Sequence, residues 1–276
     1  MKFLVVGGGY TGSRVLSAIP AAIGVGRRNS HNGQRPFLQR NLDDKTPDRI
    51  DIAGRYTLLY TVPPSAEYDD DLRLQRLLGA LSAPPTRIVY LSTTGVYGNR
   101  DGELTDESVL PAPSSPRAKR RWDAEQALLH YCSNTATDLL VLRVPGIYGP
   151  GRLGLDRIEA ATPIIREQDA KPANRIHVDD LVRCCIAAMQ PDAPTGVVNV
   201  GDGDHQSATW FANTVAALAG LKPPPQIPLD QALRSFPPRR RSFLQESRRL
   251  DTRRMRDVLG VVPLYSNPKD GIKASL

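Results

Sequence analysis

The chain has 276 residues, of which 40% are hydrophobic, 24% charged and 6% aromatic. That composition excludes a disordered, collagen-like or disulfide-scaffold protein, and the length allows one large α/β domain or such a domain with a smaller lobe. The net charge is +7, and only seven of the 36 basic residues are lysine, an arginine excess that fits either genome composition or anionic ligands.

Residues 2–6 are a short apolar run that reads as a strand, followed by a glycine turn and a helix over 10–19 that Pro20 stops. A second strand is expected at 22–26, a short third at 36–38, and a fourth at 56–61, closed by Pro63-Pro64. Leu72, Leu74, Leu77, Leu78 and Leu81 recur at near-helical spacing and predict a helix over 69–81. A fifth strand at 87–92, a helix at 116–131 opened by proline, and a sixth strand at 139–143 complete the first half. Short strands alternating with helices imply right-handed crossovers, hence a doubly wound parallel α/β sheet, a Rossmann-type fold. After Val144 the rhythm changes. Helices are expected at 152–166, 180–190 and 208–219, strands at 175–178 and 197–200, and a last helix at 250–259 that Gly260 stops.

No apolar run approaches the ~18–20 residues that a membrane span needs. The apolar start is cut short by glycines, so no secretory signal is read there. Cys132, Cys184 and Cys185 form no even framework, and a reducing, cytoplasmic location is expected.

Gly7-Gly8-Gly9-Tyr10-Thr11-Gly12 satisfies G-x-G-x-x-G between a strand and a helix, the frame in which that pattern binds a dinucleotide. Gly7 permits the tight turn, Gly9 lets the backbone approach a diphosphate, and Gly12 lets the helix pack on the strand. The helix then offers free N–H groups at Tyr10 and Thr11. An NAD site usually places an acid about 20 residues further on to hold the ribose 2′-hydroxyl. Here Gly26-Arg27-Arg28 stands in that place, and no acid precedes Asp43, whereas Lys2, Arg14, Arg35 and Arg40 do. Paired arginines suit a 2′-phosphate, so NADP is expected over NAD, unless both are solvated loop residues.

Further on stand Tyr90-Leu91-Ser92-Thr93-Thr94-Gly95-Val96-Tyr97-Gly98, Ala124-Glu125-Gln126 and the run from Leu142 through Pro145, Tyr148 and Gly149-Pro150-Gly151 to Arg152. Arg175-Ile176-His177-Val178-Asp179-Asp180-Leu181 and Val198-Asn199-Val200-Gly201-Asp202 follow. In order and spacing these motifs resemble the extended short-chain dehydrogenase/reductases, the NAD(P)-dependent epimerase/dehydratases, over nearly the whole chain. The resemblance is to atypical members, since Val6 occupies the place of the first family glycine. It implies an NAD(P)-binding domain over 1–150 with return segments near 175–200, and a substrate lobe mainly from 151–276. It also implies cofactor contacts from Asp43, Thr61, Val62, Pro63, Ser92 and Pro145, and a catalytic Ser/Thr, Tyr and Lys.

The Ser/Thr position falls on Thr93, whose alternative role is to satisfy a turn. The Lys position falls on Arg121 and the Tyr position on Arg117, and no tyrosine occurs between Tyr97 and Tyr131. An arginine stays protonated and cannot exchange a proton near neutrality, so the usual tyrosine-mediated transfer is missing. Arg121 can still hold the nicotinamide ribose, and Arg117 either binds an anionic substrate or is solvated. Tyr97, beside the expected substrate pocket, and Tyr148, near the expected nicotinamide end, are the candidate replacements. Lys119 should face away from the cleft.

Arg152, Tyr148 and Arg248 are expected at an anionic, sugar-like substrate. Asp179-Asp180 read as a helix N-cap, Cys184 and Cys185 as core, and the four scattered histidines (His31, His130, His177, His205) form no metal cluster. The basic clusters at 239–241 and 248–256 lack stacking aromatics, which argues against nucleic acid. The resulting expectation is an NADP-dependent oxidoreductase or epimerase acting on a secondary alcohol or ketone, and the resemblance implies a homodimer. Its rival is a non-catalytic NADP sensor or assembly factor.

Overall fold

The computed structural model describes residues 1–28, 36–68 and 70–276, with Arg239 described by its backbone alone. His31, Arg35 and Asp69 therefore lie outside the described residues. In the first half, β1 (Lys2–Val6), α1 (Tyr10–Ala18), β2 (Ile23–Gly26), β3 (Phe37–Gln39), β4 (Tyr56–Tyr60) and α2 (Leu72–Ala80) follow one another. Then come β5 (Arg87–Thr93), the short β6 (Leu104–Thr105), α3 (Pro116–Thr135) and β7 (Asp138–Val144). The second half holds β8 (Gly146–Tyr148), α4 (Leu155–Glu159), β9 (Ile164–Ile165), β10 (Arg175–His177), α5 (Val178–Ala188) and β11 (Gly196–Asn199). It closes with α6 (Ala208–Leu218), β12 (Gln226–Ile227), α7 (Leu229–Ser235), α8 (Pro238–Leu244), β13 (Arg249–Leu250), α9 (Arg253–Asp257) and α10 (Pro268–Lys273).

Seven strands form one parallel sheet in the order β11-β7-β5-β4-β1-β2-β3. Alternate side chains of its strands enter two cores, as the pleat requires. Val5, Leu59, Val89 and Leu142 pack with α1 and α5, while Leu4, Leu58, Ile88 and Val141 pack with α2 and α3. Helices on both faces explain why the strands read as continuous apolar runs. The chain runs β1, β2, β3 outward on one side and then returns to place β4 on the other side of β1. The order reverses there, which leaves a crevice at the carboxyl ends of β1 and β4.

The second half departs from expectation in three places. Helix 152–166 shrinks to the five residues of α4, because Gly154 and Ala161 both adopt positive φ (75° and 49°) and Pro163 follows. The start of helix 250–259 is instead β13, paired in parallel with β6, so only α9 remains helical. The strand expected at 175–178 is present as β10, which pairs with β8 outside the main sheet. His177, not an aspartate, caps α5: its Nδ1 accepts from Asp179 N at 3.2 Å. The Asp180 carboxylate instead accepts backbone N–H bonds from Leu264 and Tyr265 (2.7 and 3.1 Å), which ties the tail to α5. Cys184 and Cys185 are fully buried core.

Candidate functional site

The crevice between β1 and β4 opens into a cavity of about 500 Å³, lined by the glycine turn, residues 25–28 after β2, residues 40–43 after β3, Thr61-Val62-Pro63 and Arg73. Gly7 takes φ +108°, and a Cβ there would lie 2.4 Å from Thr61 Oγ1. A Cβ on Gly12 would lie 1.8 Å from the carbonyl oxygen of Gly7, so the turn closes tightly onto the helix. A Cβ on Gly9 would meet nothing within 4 Å, and the residue faces open cavity. Thr61 Oγ1 donates to the Val6 and Gly7 carbonyls (3.0 and 3.1 Å), locking β4 to the turn. Gly9 caps α1 without a side chain, so the first N–H groups are left for an anion. The cavity therefore fits a dinucleotide in shape and donors.

Its rim is cationic. Arg27, Arg28, Arg40 and Arg73 face a single carboxylate among the described lining residues, Asp43. Arg73 grips it as a fork, with Nε 2.6 Å from Oδ1 and Nη2 3.0 Å from Oδ2, and Arg27 Nη1 stands 3.6 Å from Oδ2. The Arg73 hydrogen bond holds the Asp43 carboxyl below its ordinary range. Arg73, Asn41 and Leu42 line the cavity and were not among the residues expected there from the sequence. No motif flags Arg73, which the fold brings to Asp43 from 30 residues away.

Tyr10 opens α1, and two guanidinium groups approach its ring, Arg14 at 4.0 Å and Arg152 at 3.9 Å from the ring centre. Its hydroxyl donates to the Pro150 carbonyl at 3.0 Å. Arg152, expected at the substrate, is thereby directed to the helix that borders the dinucleotide cavity. Thr11 and Gly12 are buried behind it.

At the expected catalytic end, Thr93 Oγ1 accepts from Gly95 N at 3.2 Å, which is its turn-satisfying role, and its side chain stays half-buried. Arg121 donates to the Leu91 carbonyl and approaches the Tyr90 hydroxyl at 3.4 Å. Arg117 is exposed, its guanidinium 4.8 Å from the ring centre of Phe243 on α8, and Lys119 is exposed too. Pro145, half-buried, joins β7 to β8.

Four expectations are corrected by burial. The Tyr97 ring is 0% exposed and its hydroxyl donates to Asn199 Oδ1 at 2.8 Å, so it reaches no substrate, and burial pushes its pKa up. Tyr148 is buried beneath α10, edge-on to His177 and Phe211, with a hydroxyl that has no hydrogen-bond partner among the described residues. Arg248 is buried, donating to the Gly98 carbonyl at 3.0 Å and pairing with Glu246 at 2.5 Å, so it ties the segment before β13 to the one between β5 and β6. The Ser92 hydroxyl donates inward to Glu125, which pairs with Arg143 at 2.7 Å; all three are buried.

Among the described residues no helix is long and apolar enough to cross a membrane, and no group of His, Cys, Asp or Glu could hold a metal ion.

Residues 3–201 match the profile described as NAD dependent epimerase/dehydratase family. A UDP-glucose 4-epimerase of Rhizobium meliloti is 31% identical over 180 residues, 55% of each chain. The chain spans about half the length of the curated relatives it matches. Among solved structures, a conserved protein of unknown function from Silicibacter pomeroyi superposes with TM-score 0.79 at 28% identity, covering 99% of this chain and 97% of that one. The UDP-glucuronic acid 4-epimerase of Bacillus cereus, solved with NAD, gives TM-score 0.75 at 18% identity over 100% and 97% of the two chains, a likeness of fold alone.

Proposed function

The chain belongs to the NAD dependent epimerase/dehydratase family, and from that membership we propose an NADP-dependent oxidoreductase or epimerase acting on a secondary alcohol or ketone of an anionic, sugar-like substrate. The observation that carries the reading is the cavity at the β1–β4 crevice, where a glycine turn meets a rim of four arginines whose one carboxylate is already paired. In this reading the free N–H groups of α1 bind the diphosphate, and Arg27 and Arg28 bind the 2′-phosphate. Thr61, Val62 and Pro63 wall the ring side, and Asp43 shapes the rim without holding the ribose. The nicotinamide, when bound, supplies the hydride donor or acceptor. Thr93 orients the substrate oxygen, and Arg121 holds the ribose once it releases Leu91. Relatives named for UDP-sugars support the substrate class, as does the arginine excess of the chain. We place the protein in the cytoplasm, where its three buried free thiols stay reduced.

A second reading, a dinucleotide sensor or assembly factor without turnover, is favoured by the arginines at 117 and 121 and by the burial of Tyr97 and Tyr148. Calorimetric titration with NADPH and with NADH tests the shared premise: tight NADPH binding and weak NADH binding are expected. Binding of neither removes the cofactor. Turnover with UDP-sugars, followed at the nicotinamide absorbance for net oxidation or reduction and by chromatography of the sugar products for epimerisation, which returns the cofactor to its starting state, then separates the readings. The pair Arg117→Tyr with Arg121→Lys should alter turnover in an enzyme and change nothing in a sensor that still folds and binds cofactor.

A further inference from the structure

We propose that Arg73 is a positioning residue for cofactor specificity: by engaging both oxygens of Asp43 it keeps this carboxylate from accepting a ribose 2′-hydroxyl and leaves the rim set for a 2′-phosphate. The inference rests on the reading of the cavity as a dinucleotide site. A carboxylate at the ribose selects NAD because it accepts the 2′-hydroxyl and repels a phosphate there. Asp43 lines the cavity 3.6 Å from Arg27, which stands where an NAD site places its acid, and in this reading a free carboxylate there would act in that way. It is not free. Arg73 donates Nε and Nη2 to it in a planar fork, the geometry in which guanidinium binds carboxylate most firmly.

Nη1 of Arg73 is also committed, 3.0 Å from the Pro63 carbonyl, so the fork is fixed to the loop on the other side of the cavity. One turn along α2, Arg76 Nη1 donates to the Leu42 and Asp43 carbonyls at 3.1 and 2.8 Å and pins the backbone that carries the acid. Arg27 is held only at 3.6 Å from Asp43 with a side chain 69% exposed, so it can turn to a phosphate without stranding the acid. The charge of Asp43 is balanced by Arg73, and that of Arg27 remains for the ligand.

The test is calorimetric affinity for NADPH and NADH in the wild type, Arg73→Gln, Asp43→Asn and the double variant, with thermal unfolding as a control for folding. Arg73→Gln frees an uncompensated carboxylate, so the NADPH preference is expected to fall by about tenfold or more, chiefly through weaker NADPH binding. Asp43→Asn alone should keep the preference. The double variant should return it to within about threefold of wild type, because the acid that Arg73 masks is gone. Arg73→Lys, which keeps the charge and loses the fork, should lie between and serves if Arg73→Gln does not fold. Equal weakening of both cofactors in Arg73→Gln would overturn the inference, since Arg73 would then only brace the wall. A double variant as poor for NADPH as Arg73→Gln would also overturn it, by making Arg73 a direct phosphate ligand. A wild type without NADPH preference overturns the underlying reading itself, and it does so before any variant is compared.

Discussion

The guanidinium of Arg152 lies 3.9 Å from the centre of the Tyr10 ring, which Arg14 also approaches, at 4.0 Å. Residues 142 positions apart thus meet at the start of α1, where the free N–H groups point. Arg152 has no ion pair among the described residues, so its charge is left to act on whatever anion α1 holds. We expect Arg152→Ala to weaken dinucleotide binding by about three- to tenfold with little change in unfolding temperature. Titration calorimetry would show this, and an unchanged affinity would reduce the stack to a latch.

The tightness of the glycine turn makes a sharper prediction. Gly12→Ala brings a methyl carbon to 1.8 Å from the Gly7 carbonyl, a backbone atom that cannot step aside without moving β1. A loss of about 1–3 kcal/mol is expected, together with loss of cofactor binding. Gly9→Ala meets no protein atom within 4 Å and should keep its stability while losing affinity. Urea unfolding beside titration separates the two. Equal effects of both variants on stability would refute the assignment.

Glu125 and Arg143 are 4% and 3% exposed at their side chains and bridge α3 to β7. Removing one partner leaves a buried charge, so Glu125→Leu should cost about 3–5 kcal/mol. The double change of Glu125→Leu with Arg143→Met should recover most of it, because no charge is then stranded. A double variant as unstable as the single would show that the pair acts through something other than charge.

Burial pushes the Asp202 carboxyl up to about 8, and its Oδ2 has no hydrogen-bond partner among the described residues. Between about pH 4 and the folded value, the folded chain keeps a proton that an unfolded chain has released. Its contribution to stability is therefore full below about pH 4 and is lost as pH rises through the folded value. Asp202→Asn should flatten the fall in unfolding temperature across that window and be the more stable protein at its alkaline end. A variant with the same slope as wild type would assign the pH dependence to another group.

The sheet was legible because each of its signals is local: apolar runs, a glycine turn, a proline at the start of α3. The Tyr10 and Thr61 neighbourhood followed from the same frame. Arg73 was not legible, since its meaning depends on Asp43, which only the packing of α2 brings beside it. Tyr97 and Tyr148 were sought as acids because sequence order puts them near the active end. Their hydroxyls turn out to be sealed, one against Asn199 and the other beneath α10, and burial is a tertiary property. Helix 152–166 failed for a local reason, the positive φ at Gly154 and Ala161, which apolar spacing does not register.

Strand β11 completes the sheet beside β7 from far along the chain. A ribosome that has released only the first 150 residues has therefore made a sheet that ends on the seven-residue β7 instead of the four-residue β11, a longer open edge than the finished sheet shows there. Such an edge can pair with a second nascent chain until residue 199 emerges. Synthesis must outrun that encounter or be shielded from it, and a fragment ending near residue 150 would carry the same liability permanently.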